Sequence, residues 1–246
     1  MNQDLPTSLH QPFTIQSIRE ENYRTRTFTL DRPLPCTPGQ FVMLWIPGST
    51  EKPFSITYDD PFQLTIVAVG AFTKLAHTLV AGDRLWVRGP LGQGYKPHGK
   101  RIVLAAGGYG AVPLLFLARQ AVAADMEVHA CTGATNIDNV LFADEFKAAG
   151  AHVYIQQVRM NVERLLHDPA TRPDGGVYAC GPVKLLEAIH AICDRYGVPS
   201  QLSWEAHIRC GIGLCGSCEI VLPASQGDPD RTAWLVCRDG PVSFSK

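Results

Sequence analysis

Between residues 13 and 87 the chain advances in short apolar stretches, at 13–15, 25–30, 41–46, 64–69 and 84–87, each closed by a turn signal. Runs this rich in β-branched and aromatic residues predict strands. Pro35, Pro38-Gly39, Pro47-Gly48 and Gly82-Asp83 punctuate them, so the pattern predicts an antiparallel barrel or sandwich over a βαβ layer. One helix is expected at 73–80, where Leu75, Ala76 and Leu79 share a face.

After Gly89-Pro90-Leu91-Gly92-Gln93-Gly94 the period changes. Strand-like runs at 102–105, 127–131, 152–155 and 176–180 alternate with helix-like runs at 112–124, 140–149 and 183–196, which predicts a parallel α/β sheet. The last fifty residues place Gly211, Gly213 and Gly216 among cysteines and then run through a Pro-containing stretch at 223–229, so they predict a loop-rich module without a large apolar core. The expected units are therefore 1–97, 98–198 and 199–246. A chain of 246 residues is long enough for two ordinary domains and a small appendage.

Composition narrows the function classes. With 46% hydrophobic and 18% charged residues and a formal net charge of −1, the chain is of globular type and lacks the basic excess of a nucleic-acid binder. The first seventeen residues are polar and broken by Pro6 and Pro12, without the basic and apolar regions of a signal peptide, so a cytoplasmic location is expected. The apolar run 102–124 has nearly the length of a membrane span, but Gly107, Gly108, Gly110, Pro113 and Arg119 interrupt it, and it reads as strand, turn and helix.

Eight cysteines without an export signal point away from disulfides and towards metal or redox chemistry. Cys36, Cys131, Cys180 and Cys193 are scattered and are expected to be structural. The other four are Cys210, Cys215, Cys218 and, after eighteen intervening residues, Cys237. This C-x4-C-x2-C…C spacing is the plant-type [2Fe-2S] pattern, and interspersed glycines let backbone N–H groups approach the sulfurs. A four-cysteine zinc site is the competing assignment, but its ligands come as two tight pairs, whereas three of these share one loop.

Two further motifs bear on cofactors. Lys52-Pro53-Phe54-Ser55 places a hydroxyl near a strand where it can meet a flavin, and Gly70-Ala71-Phe72-Thr73 opens the expected helix, whose free N–H groups can hold a pyrophosphate. From these residues alone, a turn with a solvated lysine is the simpler reading. Gly107, Gly108 and Gly110 lie at a strand-to-helix turn, where a dinucleotide can approach the helix start, although G-x-G-x-x-G is absent. Cys180-Gly181-Pro182 ends another expected strand at the ligand-binding edge of such a sheet. Gly133-Ala134-Thr135-Asn136 offers no Arg or Lys for a 2′-phosphate, which favours NAD over NADP. No nucleophile–base set stands out, and the eight histidines are dispersed.

Taken in order, these motifs resemble the electron-transfer subunit of NAD-dependent (type B) dihydroorotate dehydrogenase, within the ferredoxin-reductase-like flavoproteins. Cys210-Gly-Ile-Gly-Leu-Cys-Gly-Ser-Cys218 and Cys237-Arg-Asp-Gly-Pro-Val242 are the most specific part of a likeness that spans nearly the whole chain. The resemblance implies an antiparallel FAD-binding β-barrel, a parallel α/β NAD-binding domain and a C-terminal [2Fe-2S] module. It implies FAD contacts at Lys52 to Ser55, at the strand Val67-Ala68-Val69 and at Gly70, Phe72 and Thr73. The family's Arg-Pro-x-Ser is Lys-Pro-Phe-Ser here, and Phe72 stands where relatives have the glycine of a Gly-Thr pair; lysine keeps the charge but loses the bidentate fork. The implied reaction belongs to pyrimidine biosynthesis. Dihydroorotate reduces FMN on a catalytic partner, in a heterotetramer of two subunits of each kind, and electrons pass through the cluster and FAD to NAD⁺. A diaphorase subunit of a hydrogenase or of a ferredoxin-linked NAD(P) oxidoreductase would carry the same modules. A ligand-binding regulatory module with structural zinc is the third reading.

Overall fold

The structure, a computed structural model, describes residues 9–223, 226 and 233–245. The readings placed on the first eight residues, and on 224–225 and 227–229 of the Pro-containing stretch, lie outside the described residues. Strands β1 (Gln11–Asn22), β2 (Thr25–Leu30), β3 (Phe41–Trp45), β4 (Lys52–Asp59), β5 (Phe62–Val67) and β6 (Arg84–Leu91) close into an antiparallel barrel in the order β1-β2-β5-β4-β3-β6. Phe13, Ile15, Phe28, Leu44, Ile56 and Leu64 fill its interior. β1 is far longer than the run at 13–15 predicts, because beyond Ile15 its residues are half-buried or exposed and lose the apolar signal. The expected helix at 73–80 is instead α1 (Ala71–Ala76). Its end tightens into i→i+3 bonds, Thr78 N–H to Leu75 O and Leu79 N–H to Ala76 O, and Thr78 Oγ1 also donates to Leu75 O. Its buried face is Phe72 and Ala76, while Leu75 is exposed.

The second unit contains the expected alternation and two elements that it did not include, α4 and β11: β7 (Arg101–Gly107), α2 (Ala111–Ala123), β8 (Glu127–Gly133), α3 (Ala143–Ala148), β9 (His152–Ile155), α4 (Val158–His167), β10 (Val177–Cys180), α5 (Val183–Tyr196) and β11 (Ser200–Ser203). β14 (Val242–Phe244) completes a six-stranded sheet in the order β14-β11-β10-β7-β8-β9, parallel except for β14. The strand order reverses direction between β7 and β10, the place where open α/β sheets leave a crevice at their carboxyl ends. α3 covers only part of the helix expected at 140–149, because Phe142 at its cap is left-handed (φ 63°) and the chain before it turns. The apolar run 102–124 divides between β7 and α2, and among the described residues no helix is long and apolar enough to cross a membrane.

Between β11 and β14 the chain leaves the sheet to form the cysteine-bearing loop, a small hairpin of β12 (Glu219–Ile220) and β13 (Trp234–Leu235), and α6 (Val236–Asp239). Both sheet strands that bracket this module lie within 199–246. Cys218, Trp234, Val236 and Cys237 join one apolar cluster with Phe41, Met43 and Leu91 of the barrel and with Leu202 and Trp204 at the sheet edge. The module is thus fixed to both larger units by burial. Barrel and sheet are tied by the Tyr95 hydroxyl donating to Ala179 O (2.9 Å) and by Phe116 of α2, which enters the barrel core against Tyr58.

Candidate redox centre

The three loop cysteines are held by a backbone that turns repeatedly through left-handed space. Gly213 has φ +80° and its N–H donates to Cys237 Sγ at 3.1 Å, an approach that a side chain there would have to share with Arg238. The thiols fall into two pairs, Cys210 beside Cys215 and Cys218 beside Cys237, whose N–H donates to Cys218 Sγ at 3.5 Å. Burial pushes the Cys210 thiol up, but the N–H groups of Ile212 and Cys215, the Cys215 thiol and the Leu214 N–H outweigh it and bring it down to about 6. Cys237 is pushed up to about 12 by burial and by its bond to Cys218. Among the described residues no three His, Cys, Asp or Glu side chains are set to hold one metal ion. Two thiol pairs with N–H donors on their sulfurs fit a two-iron cluster, which takes two thiolates on each iron. Cys218 and Cys237 are buried, whereas Cys215 and its neighbours Ile212 and Leu214 are exposed.

Arg88 of β6 ties this loop to the barrel. Its Nε and Nη2 donate to the two carboxylate oxygens of Glu51 at 2.9 Å each, and Nη2 also donates to Cys210 O at 2.9 Å. His10 Nε2 lies 2.6 Å from the same carboxylate. Arg88→Met removes both the ion pair and the carbonyl bond and is expected to cost about 1.5–3 kcal/mol, the range for hydrogen bonds to charged groups. Thermal unfolding and iron per chain after anaerobic desalting should both fall; unchanged values would show that the loop holds itself.

A cavity of about 300 Å³ opens between β4 and the ends of β10 and β11, lined by Phe41, Pro53, Phe54, Ser55, Gly110, Cys180 and the segment Ser203 to Ala206, with Tyr109, Ile208 and Pro241. Lys52-Pro53-Phe54-Ser55 lies within β4, whereas the sequence placed it beside a strand. Residues Lys52 to Ser55 pair with β3, while β5 pairs only from Ile56 onwards, so the proline without an N–H sits on a free edge. That open edge and its hydroxyl line a cavity whose wall is more apolar than polar, which suits a flavin ring. Cys180 is buried here and its thiol is pushed up to about 12 by burial, so it stays protonated. Cys36, Cys131 and Cys193 are likewise raised to about 12, first by burial, as inert structural thiols are.

The larger cavity, about 450 Å³, occupies the crevice at the strand reversal. Gly107, Gly108, Gly133, Ala134, Thr135 and Pro182 line it, joined by Arg24, Tyr109, Asn139, Gln156, Gln157, Val158, Leu185 and Glu205. Glycine is required at the turn: a Cβ on Gly110 would lie 2.0 Å from Cys180 O, and one on Gly181 2.9 Å from Gly107 Cα.

The sequence-predicted residues therefore divide. Pro53, Phe54, Ser55, Gly110 and Cys180 line the smaller cavity, Gly107, Gly108 and Pro182 the larger, and Gly181 packs between them. Lys52, Val67, Ala68, Val69, Gly70, Phe72 and Thr73 line neither. Thr73 Oγ1 accepts the N–H groups of Val69 and Gly70 at 2.9 Å, which takes two donors that an anion would use, and Phe72 turns into the barrel core against Phe54. Arg24 and Glu205, which no motif marks, enter the larger cavity from the β1–β2 turn and from the end of β11. The three sites stand in series: Tyr109 and Glu205 line both cavities, and Glu205 to Ile208 lead from the smaller one to Cys210.

Known proteins match this arrangement. The family described as the iron-sulfur cluster binding domain of dihydroorotate dehydrogenase B matches residues 205–245. A Methanothermobacter thermautotrophicus protein named probable dihydroorotate dehydrogenase B (NAD(+)), electron transfer subunit, is 36% identical, with 94% of this chain and 88% of that protein covered. Its namesake from Methanocaldococcus jannaschii is 32% identical over 93% of this chain and 87% of its own length. Among solved structures, the NADH-dependent reduced ferredoxin-NADP oxidoreductase superposes with a TM-score of 0.80 at 21% identity, covering 98% of this chain and 89% of that one. A ferredoxin NADP+ reductase from Neisseria gonorrhoeae with bound FAD and NADP superposes with a TM-score of 0.63 at 16% identity, covering 76% of this chain and 92% of that one. The structural likenesses establish the ferredoxin-reductase-like fold, and the sequence identities, sustained over nearly the whole chain, show that it belongs to the family of dihydroorotate dehydrogenase B (NAD(+)) electron transfer subunits.

Proposed function

We propose that this chain carries electrons between the FMN of a dihydroorotate dehydrogenase catalytic subunit and NAD⁺. In this reading Cys210, Cys215, Cys218 and Cys237 hold a [2Fe-2S] cluster, the smaller cavity takes the isoalloxazine of FAD and the larger takes the dinucleotide. The observation that carries it is the serial order of the three sites, with Tyr109 and Glu205 shared by both cavities and the segment after Glu205 leading to Cys210. A bound cluster exchanges single electrons and a flavin one or two, which couples one-electron transfer to hydride transfer. The protein's own part is to position and to exclude water: Pro53 to Ser55 present a free strand edge, and the glycine turn brings the dinucleotide against the same wall.

The partner is an FMN-containing subunit in a heterotetramer of two of each, working in the cytoplasm, and it docks at the exposed side of the cluster. Cys215 emerges there with Leu214, 81% exposed, and Ile212, 48% exposed, an apolar rim suited to burial against another protein. The proposed units remain 1–97, 98–198 and 199–246, with the last returning β11 and β14 to the sheet. Assignment to a hydrogenase or ferredoxin-linked enzyme would keep every site and change only the partner, and the names of the curated relatives favour dihydroorotate dehydrogenase.

Anaerobically prepared protein should contain FAD, and iron and sulfide near two each per chain, and should co-purify with the catalytic subunit. Stoichiometric zinc without iron would contradict the assignment, as would FMN as the sole flavin. Lys52→Ala should lower FAD retention on repeated dilution by removing the cation of the Lys-Pro-x-Ser motif. Equal retention would place Lys52 outside the flavin site, in line with its absence from the cavity wall.

A further inference from the structure

The larger cavity contains one cation, Arg24, and among the described residues it has no ion-pair partner. Its guanidinium lies 5.7 Å from the Tyr109 ring centroid and 5.5 Å from that of Tyr23, and its Nη2 donates to Asn139 Oδ1 at 3.4 Å. Arg24 Nε is buried with no hydrogen-bond partner, and so is the hydroxyl of Tyr109, the next wall residue. A buried donor left without an acceptor is costly, and such orphans are rare in proteins. The residue is also fixed in place: its N–H bonds Asn22 Oδ1, its carbonyl accepts the Ala68 N–H, and Asn22 Nδ2 reaches Asp138 O across the unit boundary. The turn between β1 and β2 is thereby anchored against the segment that follows β8.

We propose that Arg24 grips the pyrophosphate of the dinucleotide, so that the barrel, and not only the glycine turns of the sheet, binds NAD. The inference rests on the dinucleotide reading of this cavity. A guanidinium stacked over aromatic rings keeps its N–H edge for an oxyanion, and phosphate supplies both the missing charge and the missing acceptors. Arg24 lines the larger cavity alone, whereas Glu205 lies where the two cavities meet, and burial pushes its carboxyl up. An anionic middle held at Arg24 and a nicotinamide directed to the Glu205 junction is the orientation that brings the ring to the flavin wall.

The test uses the flavin- and cluster-loaded protein and reads binding by calorimetry, with ADP-ribose as the probe and adenosine as the phosphate-free control. Arg24→Gln should weaken ADP-ribose about tenfold or more, the worth of a charge-assisted hydrogen bond, and leave adenosine unchanged. Arg24→Lys should recover part of the loss, because it restores charge without the fork. Wild-type affinity for ADP-ribose should fall with added salt more steeply than that of Arg24→Gln. Equal affinities, or equal losses for ADP-ribose and adenosine, would overturn the proposal, as would a loss confined to ADP-ribose bearing a 2′-phosphate. If wild-type protein binds adenosine and ADP-ribose not at all, the dinucleotide reading itself fails, and this inference with it.

Discussion

Cys218→Ser protein that folds and keeps its flavin is expected to oxidise NADH with a direct flavin acceptor at close to the wild-type rate, yet to show only background dihydroorotate-dependent NAD⁺ reduction in the complex. The separation follows from the layout of the sites. Neither cavity wall contains a cluster cysteine, so the contact between nicotinamide and flavin does not depend on Cys218. The four cysteines proposed to hold the cluster follow Ile208 in the chain, and Cys215 among them is exposed. Cys218 is itself buried, its sulfur paired with Cys237 and 3.5 Å from the Cys237 N–H, so serine would remove a proposed ligand with little change in volume. Iron content, melting temperature and flavin content identify the folded, cluster-deficient protein. If that protein keeps full coupled activity, the cluster is not on the route; if it loses NADH oxidation as well, the two halves are not separable in the way the cavities imply.

Gly110→Ala is expected to damage the junction of the two cavities more than its single methyl suggests. The added Cβ would stand 2.0 Å from Cys180 O, 2.3 Å from Cys180 C and 2.8 Å from Gly181 N, all backbone atoms of the neighbouring strand end. A side chain could rotate away, whereas here β7 and β10 must separate where they are paired in parallel, Cys180 opposite Ala106. Overpacking of this kind costs about 1–3 kcal/mol and sometimes more. The displaced turn carries Tyr109, which belongs to both walls, so flavin retention and NADH oxidation should fall together with the melting temperature. A variant with wild-type melting and full NADH oxidation would show that the turn relaxes freely and does not set the junction.

Much of this organisation can be read from the chain because its signals are local. The run 183–196 coincides with α5, which Gly181-Pro182 precedes and Gly197 ends, and 152–155 coincides with β9. Helix α4 has an equally periodic buried face, Val158, Val162, Leu165 and Leu166, but enters from two left-handed glutamines, Gln156 and Gln157, instead of a capping residue. β11 carries Ser-Gln-Leu-Ser and is wholly buried, which no hydrophobic pattern announces. Its polar groups are satisfied from a distance: Gln201 exchanges two hydrogen bonds with the Lys96 backbone, and the Ser200 N–H reaches Ser245 Oγ. The cysteine spacing suffices to suggest the cluster because all but one of the proposed ligands lie in a nine-residue loop. Arg24, Arg88 and Glu205 carry no such mark. Each acquires its role only when barrel, sheet and cluster module pack together, and no spacing along the chain encodes that meeting.

The most direct test is NADH formation from dihydroorotate and NAD⁺ by this chain mixed with its FMN-containing catalytic partner, measured beside each subunit alone. The account predicts formation in the mixture only, with this chain alone limited to oxidising NADH with artificial acceptors. Dihydroorotate oxidation by the isolated chain, or a loaded complex that reduces no NAD⁺, would contradict it.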